Sequence, residues 1–153
     1  MLIQGDNIDC NKEEVLKYCK MAADKGDSEA MVNYASMLIE EDNINYNKKE
    51  VNKYYKMAAD KGNIKAIMAY SNILINGIGI EIDIKQALRY LKNAADKGNV
   101  SAINKYVSML DYEDESLINK EEKTKYFKLA ADNGNIEAMT KYASILFNGD
   151  RIE

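Results

Sequence analysis

The chain repeats one short sequence four times at a fixed interval of 36 residues. AADKGN occurs at 58–63 and again at 94–99, and single-residue variants occur at 22–27 (AADKGD) and 130–135 (AADNGN). No gap is needed to align the copies. A period in the thirties is typical of helix pairs, which bury their apolar faces by stacking on neighbouring pairs. We therefore expect one array of stacked helix pairs along the 153 residues.

Nine aligned positions, here called columns, are identical in all four copies. They are the columns of Tyr54, Lys56, Ala58, Ala59, Asp60, Gly62, Ala66, Tyr70 and Leu74, with their equivalents at multiples of 36 residues. The tyrosine, alanine and leucine columns are interpreted as the packed core, in which alanine lets paired helices approach closely.

Each 36-residue row predicts two helices. Asn47-x-x-Glu50 is a capping-box pattern that starts the first helix, and Gly62 can adopt the left-handed conformation that ends it. Asn63 can cap the second helix, in which alanine, tyrosine and leucine recur every four residues and form one apolar stripe. The other rows start at Asn11, Asp83 and Asn119. No segment alternates with period two, so we predict an all-α fold without strands.

Composition excludes several classes of function. The chain contains no histidine, so it has no imidazole base or ligand. The formal net charge of −4 argues against nucleic-acid or membrane-surface partners. Cys10 and Cys19 form neither a disulfide framework nor a zinc motif, which favours an intracellular, cytoplasmic location.

Motifs for catalysis and metal binding are also missing. Gly77-Ile-Gly79 lacks the third glycine of a dinucleotide loop. The acidic cluster of Asp111 and residues 113–115 lacks the spacing of a calcium loop. We therefore predict no enzyme activity, no cofactor and no metal site.

The repeat resembles the Sel1-like family, a relative of the tetratricopeptide repeat. Residues 66–99 carry the closest match, which comprises Ala66, Tyr70, Leu74, Gly77, Gly79, Lys85, Ala87, Tyr90, Ala94, Ala95, Gly98 and Asn99. The resemblance implies a right-handed α-solenoid of antiparallel helix pairs. In the family's phase, the chain 1–153 is a single array with full units at about 28–62, 64–98 and 100–134 and half-units at 1–27 and 135–153.

The resemblance further implies a binding surface on the concave face, which the second helices line. Helical projection, with Ala66 taken as the inward direction, places the outward arc of each second helix independently. The expected partner-binding residues are Glu29, Val32, Ser36, Ile39, Lys65, Met68, Asn72, Ile75, Ser101, Asn104, Ser108, Asp111, Glu137, Thr140, Ser144 and Phe147. Val32, Ile39, Met68, Ile75 and Phe147 favour binding because exposed apolar surface commonly marks an interface.

We therefore expect a protein- or peptide-binding scaffold. The alternative is a purely structural module of a longer array, which stacks on itself or on further repeats. Weak self-association through the ends of the array is also expected, because terminal repeats need a polar outer face to stay soluble. The eight basic residues of the first helices are interpreted as a solvated surface, because acidic side chains alternate with them. These residues are Lys17, Lys20, Lys53, Lys56, Arg89, Lys92, Lys125 and Lys128.

Overall fold

The computed structural model describes residues 9–41, 47–110 and 119–149, and in these ranges it contains eight α-helices and no strand. The predicted all-α fold is confirmed. The helices are α1 (Asp9–Asp24), α2 (Ser28–Glu41), α3 (Lys48–Asp60), α4 (Ile64–Asn76), α5 (Ile84–Asp96), α6 (Val100–Leu110), α7 (Lys120–Asp132) and α8 (Ile136–Gly149). Odd-numbered helices are the first helices of the rows, and even-numbered ones are the second helices.

The predicted caps start most of these helices. The Asn47 side chain accepts from the backbone N–H of Glu50 at 3.2 Å, and the Asn63 side chain accepts from Ala66 at 3.1 Å. Asp83, Asn99, Asn119 and Asn135 do the same for α5 to α8. The prediction of a cap at Asn11 is wrong, because α1 already begins at Asp9.

Glycine ends the first helices as predicted. Gly62 has a φ of +83°, and the Asn63 N–H behind it donates to the Ala58 carbonyl at 3.1 Å. This six-to-one hydrogen bond satisfies a carbonyl that the helix leaves without a partner. Because the residue after the glycine also caps the next helix, the turn between paired helices is short and has the same geometry in each row.

The helices form two compact units, Met1–Ala87 and Leu88–Glu153, which divide within α5. In the first unit, α2 packs between α1 and α3, and α4 packs on α3. In the second unit, α7 packs against both α6 and α8. The buried residues are the columns expected from the repeat, such as Tyr54, Ala58, Ala66, Tyr126 and Ala130.

The loop that follows α4 in the first unit is held against α3. Gly77 and Gly79 both have positive φ, at +66° and +71°. The Asn52 side chain donates from Nδ2 to the Ile78 carbonyl at 2.8 Å. A Cβ on Gly79 would lie 2.7 Å from the Cβ of Lys48, so the loop backbone lies directly against α3.

Candidate interaction surfaces

The tyrosine column of the first helices ties consecutive repeats together. The Tyr54 hydroxyl donates to the Asp24 carboxylate at 2.6 Å, which joins α3 to α1, and Tyr126 donates to Asp96 in the same way. Burial, followed by the bond to Asp24, raises the pKa of Tyr54 well above its usual range. The phenol therefore remains a donor at neutral pH. Asp24 and Asp96 of the repeated AAD sequence thus each accept a hydrogen bond from the next repeat.

One basic column of the first helices, that of Lys20, is paired with acidic side chains. Lys20 pairs with Glu50 at 3.5 Å, and Lys92 pairs with Glu122, so both reach the next repeat. Lys56 instead pairs with Asp60 on its own helix, at 2.8 Å. The position in the next repeat that holds Glu50 or Glu122 in the other two pairs is the neutral Gln86 here. Lys56 therefore has no carboxylate at that position and pairs within its own helix. These ion pairs support the interpretation of a solvated surface.

At the start of α3, the capping box forms the hydrogen bond from the Glu50 N–H to the Asn47 side chain, but the Glu50 side chain has other partners. The Glu50 side chain accepts from the Tyr34 hydroxyl at 3.0 Å and pairs with Lys20, rather than folding back to the N-cap of its own helix. The glutamate position therefore belongs to the junction between repeats. Local sequence spacing cannot reveal this role, because both partners lie on other helices.

Two outward positions of α2 also hold neighbouring helices together. Glu29 pairs with Lys65 at 2.5 Å, and this contact lowers the pKa of the Glu29 carboxyl. The hydroxyls of Ser36 and Tyr55 are 3.0 Å apart. Val32 is only 6% exposed, so its expected place on the open outward arc is wrong. Met31, Tyr34 and Ala35 are buried as well, so the packed arc of α2 is wider than the projection from Ala66 allows.

The remaining predicted residues of the first unit form a more open surface. Ile39, Met68 and Ile75 are half-buried, and Asn72 is exposed. Ile39 and Ile75 occupy the same column of α2 and α4, and the N-terminal ends of these two helices meet where Glu29 pairs with Lys65. These four residues, here called the α2–α4 surface, combine apolar side chains with an exposed amide.

Predicted residues of the second unit are mostly polar. Asn135 donates to the Asn104 side chain at 2.9 Å, so Asn104 contributes to packing between α6 and the start of α8. Ser101 and Ser108 are exposed, and Glu137 pairs with Lys141 at 3.7 Å. Asp111 lies outside the described residues. Thr140, Ser144 and Phe147 lie together in an open depression of about 740 Å³ along α8.

A second groove lies between α1 and α2, with a volume of about 600 Å³. Val15 and Tyr18 line it and are 41% and 57% exposed. The site residues predicted from the sequence do not include Val15 or Tyr18. The alignment of the repeats is the signal that could have indicated this groove, because it places Tyr18 in a column of core residues.

Neither a metal-binding cluster nor a membrane-spanning helix occurs among the described residues. Across residues 9–41, 47–110 and 119–149, no group of three or more acidic or cysteine side chains is arranged to hold a metal ion. In the same ranges, no helix is both long and apolar enough to cross a membrane.

The stacked helix pairs define the class of protein as an α-helical repeat protein. The family model described as Sel1 repeat matches residues 4–27, 28–63, 64–99, 124–135 and 136–153. The chain belongs to the Sel1 repeat family, as its resemblance predicted. Proteins of this family are generally non-catalytic scaffolds for protein interactions. No curated protein matches the sequence.

Solved structures with the same fold support this assignment. A protective antigen of uropathogenic Escherichia coli that displays an SLR fold aligns with 88% of this chain, with a TM-score of 0.69 and 24% identity. A Sel1 repeat protein from Oxalobacter formigenes aligns with 88%, with a TM-score of 0.65 and 24% identity. The alignments span 29% and 54% of those two proteins. Helicobacter pylori cysteine rich protein B aligns with 90% of this chain and 98% of its own, with a TM-score of 0.58 and 15% identity.

Proposed function

We propose that the chain is a scaffold that binds a protein or peptide segment on the α2–α4 surface. The observation that carries the proposal is the exposed Asn72 side chain on the same face of α4 as the half-buried Met68 and Ile75, with the half-buried Ile39 in the matching column of α2. An exposed apolar surface with a few polar groups is suited to a segment that offers apolar anchors and its own backbone hydrogen bonds.

The outward columns divide into two kinds of residue. Glu29, Lys65 and Ser36 are engaged in contacts between helices, and they shape the surface rather than select its occupant. The Asn72 carbonyl accepts from Asn76, whereas the Asn72 side chain is exposed. Selectivity is therefore proposed to come from residues 68, 72 and 75. In the second unit, exposed Ser101 and Ser108 are proposed to add polar contacts.

A peptide library displayed on phage tests this proposal. Peptides selected on the wild-type chain are measured by fluorescence polarisation against the triple variant Met68→Glu, Asn72→Lys and Ile75→Glu. We expect binding to fall at least about tenfold, because the changes bury new charges under the peptide. The helical signal and melting temperature should remain close to those of the wild type.

The matched control is the triple variant Met57→Glu, Asn93→Lys and Lys97→Gln. It changes the net charge by the same amount at exposed positions of α3, α5 and the turn after α5. The control should bind the selected peptides like the wild type. If the folded α4 variant binds as well as the control, the α2–α4 surface is not the site.

A further inference from the structure

One face of α1 consists of core residues that are exposed. Val15 and Tyr18 are 41% and 57% exposed, whereas Val51 and Tyr54, in the same columns of α3, are 1% and 2% exposed. The difference is that α2 covers α3, and no described helix covers α1 in the same way. The α1–α2 groove therefore corresponds to the surface that, in the interior of the array, packs against the second helix of the preceding repeat.

The opposite half is exposed on α8. Met139 and Leu146 are 45% and 49% exposed, whereas Ile103 and Leu110, in the same columns of α6, are each 1% exposed. α6 is covered by α7, the first helix of the next row. The face of α8 that Met139 lines thus corresponds to the surface of α6 that packs against the first helix of the next repeat.

The interior junction shows how the two halves fit. There, α2 lies against α3 and reaches the start of α4. The Tyr34 ring packs edge-on against Tyr54, with centroids 4.9 Å apart, and Ser36 meets Tyr55. Further contacts run from Tyr34 to Glu50 and from Glu29 to Asn63 and Lys65. The equivalents of these contacted residues in the α1–α2 groove are Glu14, Tyr18, Cys19, Asp27 and Glu29, and all five line it.

We propose that α8 of one copy docks in the α1–α2 groove of a second copy, in a head-to-tail contact. In the register of the interior junctions, Tyr142 packs on the second copy's Tyr18 as Tyr34 packs on Tyr54. Asp132 accepts from the same Tyr18 hydroxyl, as Asp24 accepts from Tyr54.

Charge complementarity supports this register at α7. Lys128 pairs with the second copy's Glu14, as Lys20 pairs with Glu50. In the isolated chain Lys128 pairs with Asp132 on its own helix, at 2.7 Å. Lys128 is thus an exposed cation next to the docking face. It is positioned to pair with the second copy's Glu14 in place of Asp132 or together with it.

One position of the proposed contact is mismatched. Glu137 takes the place of Glu29, but it faces Asp27 and Glu29 of the second copy, where the interior junction has Asn63 and Lys65. Glu137 pairs with Lys141, and the second copy's Glu29 pairs with its own Lys65. These pairs reduce the repulsion between the carboxylates without replacing it by attraction. The contact is therefore weak and reversible.

Sedimentation velocity of the 153-residue chain over a wide concentration range tests the proposal. A head-to-tail contact leaves one free face of each kind, so the average mass should keep rising with concentration. Glu137→Lys should tighten association about fivefold, because an ion pair replaces a like-charge contact. Salt should weaken association of Glu137→Lys more than that of the wild type, because only the variant has an attractive pair at position 137 to screen.

Blocked ends distinguish this contact from a symmetric dimer. Tyr18→Asp disables the groove and Leu146→Asp disables the α8 face, and both side chains are exposed, so both variants should fold. Each variant alone should be a monomer, whereas an equimolar mixture should form dimers and nothing larger. Met139→Asp is the second α8 variant, and Lys85→Asp, at an exposed position of α5, is the control outside the contact. The proposal is overturned if the wild type and Glu137→Lys remain monomers, or if either blocked variant still self-associates.

Discussion

At the scale of single residues, the tyrosine columns show why one side chain type recurs. The Tyr54 ring packs on Tyr34 in the core, while its hydroxyl reaches Asp24 at the edge of that core. Phenylalanine supplies the ring without the hydrogen bond, and a polar residue supplies the hydrogen bond without the ring. The same arrangement joins Tyr126 to Tyr106 and Asp96 in the second unit. Tyrosine is thus the side chain that meets both demands.

Tyr54→Phe should lower the free energy of unfolding by about 1–2 kcal/mol at neutral pH, since it removes a hydrogen bond to a charged acceptor. Urea unfolding measures this loss. Lys49→Ala is the control, because Lys49 is exposed and lies on the same helix. An equal loss in both variants would show that the Asp24 contact does not contribute to stability.

The pH dependence of stability gives an independent check of the same contact. Burial and Asp24 raise the pKa of Tyr54 above its ordinary value of 10.0. The unfolded chain therefore loses this proton at a lower pH than the folded chain does, and the stability contributed by the neutral phenol is present below pH 10 and lost above it. Melting temperatures measured on both sides of this pH should fall less steeply in Tyr54→Phe than in the wild type. Identical slopes would contradict the assignment.

At the scale of elements, the helices and their turns follow from local signals, whereas the loop after α4 depends on a distant helix. Asn47 and Gly62 act within a few residues of the helix ends that they define, so a sequence pattern finds them. Asn52 lies in a column that has Leu16 and Leu88 in other rows, and only the structure shows that its amide holds the Ile78 carbonyl. That contact spans 26 residues, so spacing alone does not predict it.

Gly79→Ala and Gly98→Ala should differ in cost although both glycines have positive φ. Both variants strain the backbone by roughly 1 kcal/mol. Only the methyl group at 79 also meets α3, because its Cβ would lie 2.7 Å from that of Lys48, whereas nothing lies within 4 Å at 98. Thermal melts should therefore show a clearly larger loss for Gly79→Ala. Equal melting temperatures would mean that the loop moves away from α3 without cost.

At the scale of the whole chain, a residue's place in the array decides whether its column is core or surface. Tyr18 and Tyr54 have the same type, column and local sequence signals, yet they are 57% and 2% exposed. The difference comes entirely from the presence of α2 over α3. Identical columns predict identical environments only where the next repeat is in place.

Tyr54→Ala and Tyr18→Ala should therefore have very different effects on stability. Removing the buried ring should cost about 3–5 kcal/mol, as is usual for large aromatic side chains in a core. Removing the exposed ring should cost under about 1 kcal/mol in dilute solution, where the protein is monomeric. Urea unfolding of the dilute chain measures both. A large loss for Tyr18→Ala would indicate that α1 is covered after all.

The sequence by itself determined the helices, their ends, the core columns and the family, because these rest on local signals that repeat every 36 residues. Helix periodicity also predicts Met68, Asn72 and Ile75 on the outward arc, where Asn72 is exposed and Met68 and Ile75 are half-buried. Only the tertiary structure decided that Val32 is buried, that Glu50 serves a neighbouring helix and that the α1–α2 groove is open. These outcomes depend on contacts between helices that lie far apart in sequence, and a pattern within one repeat carries no information about which neighbour covers it.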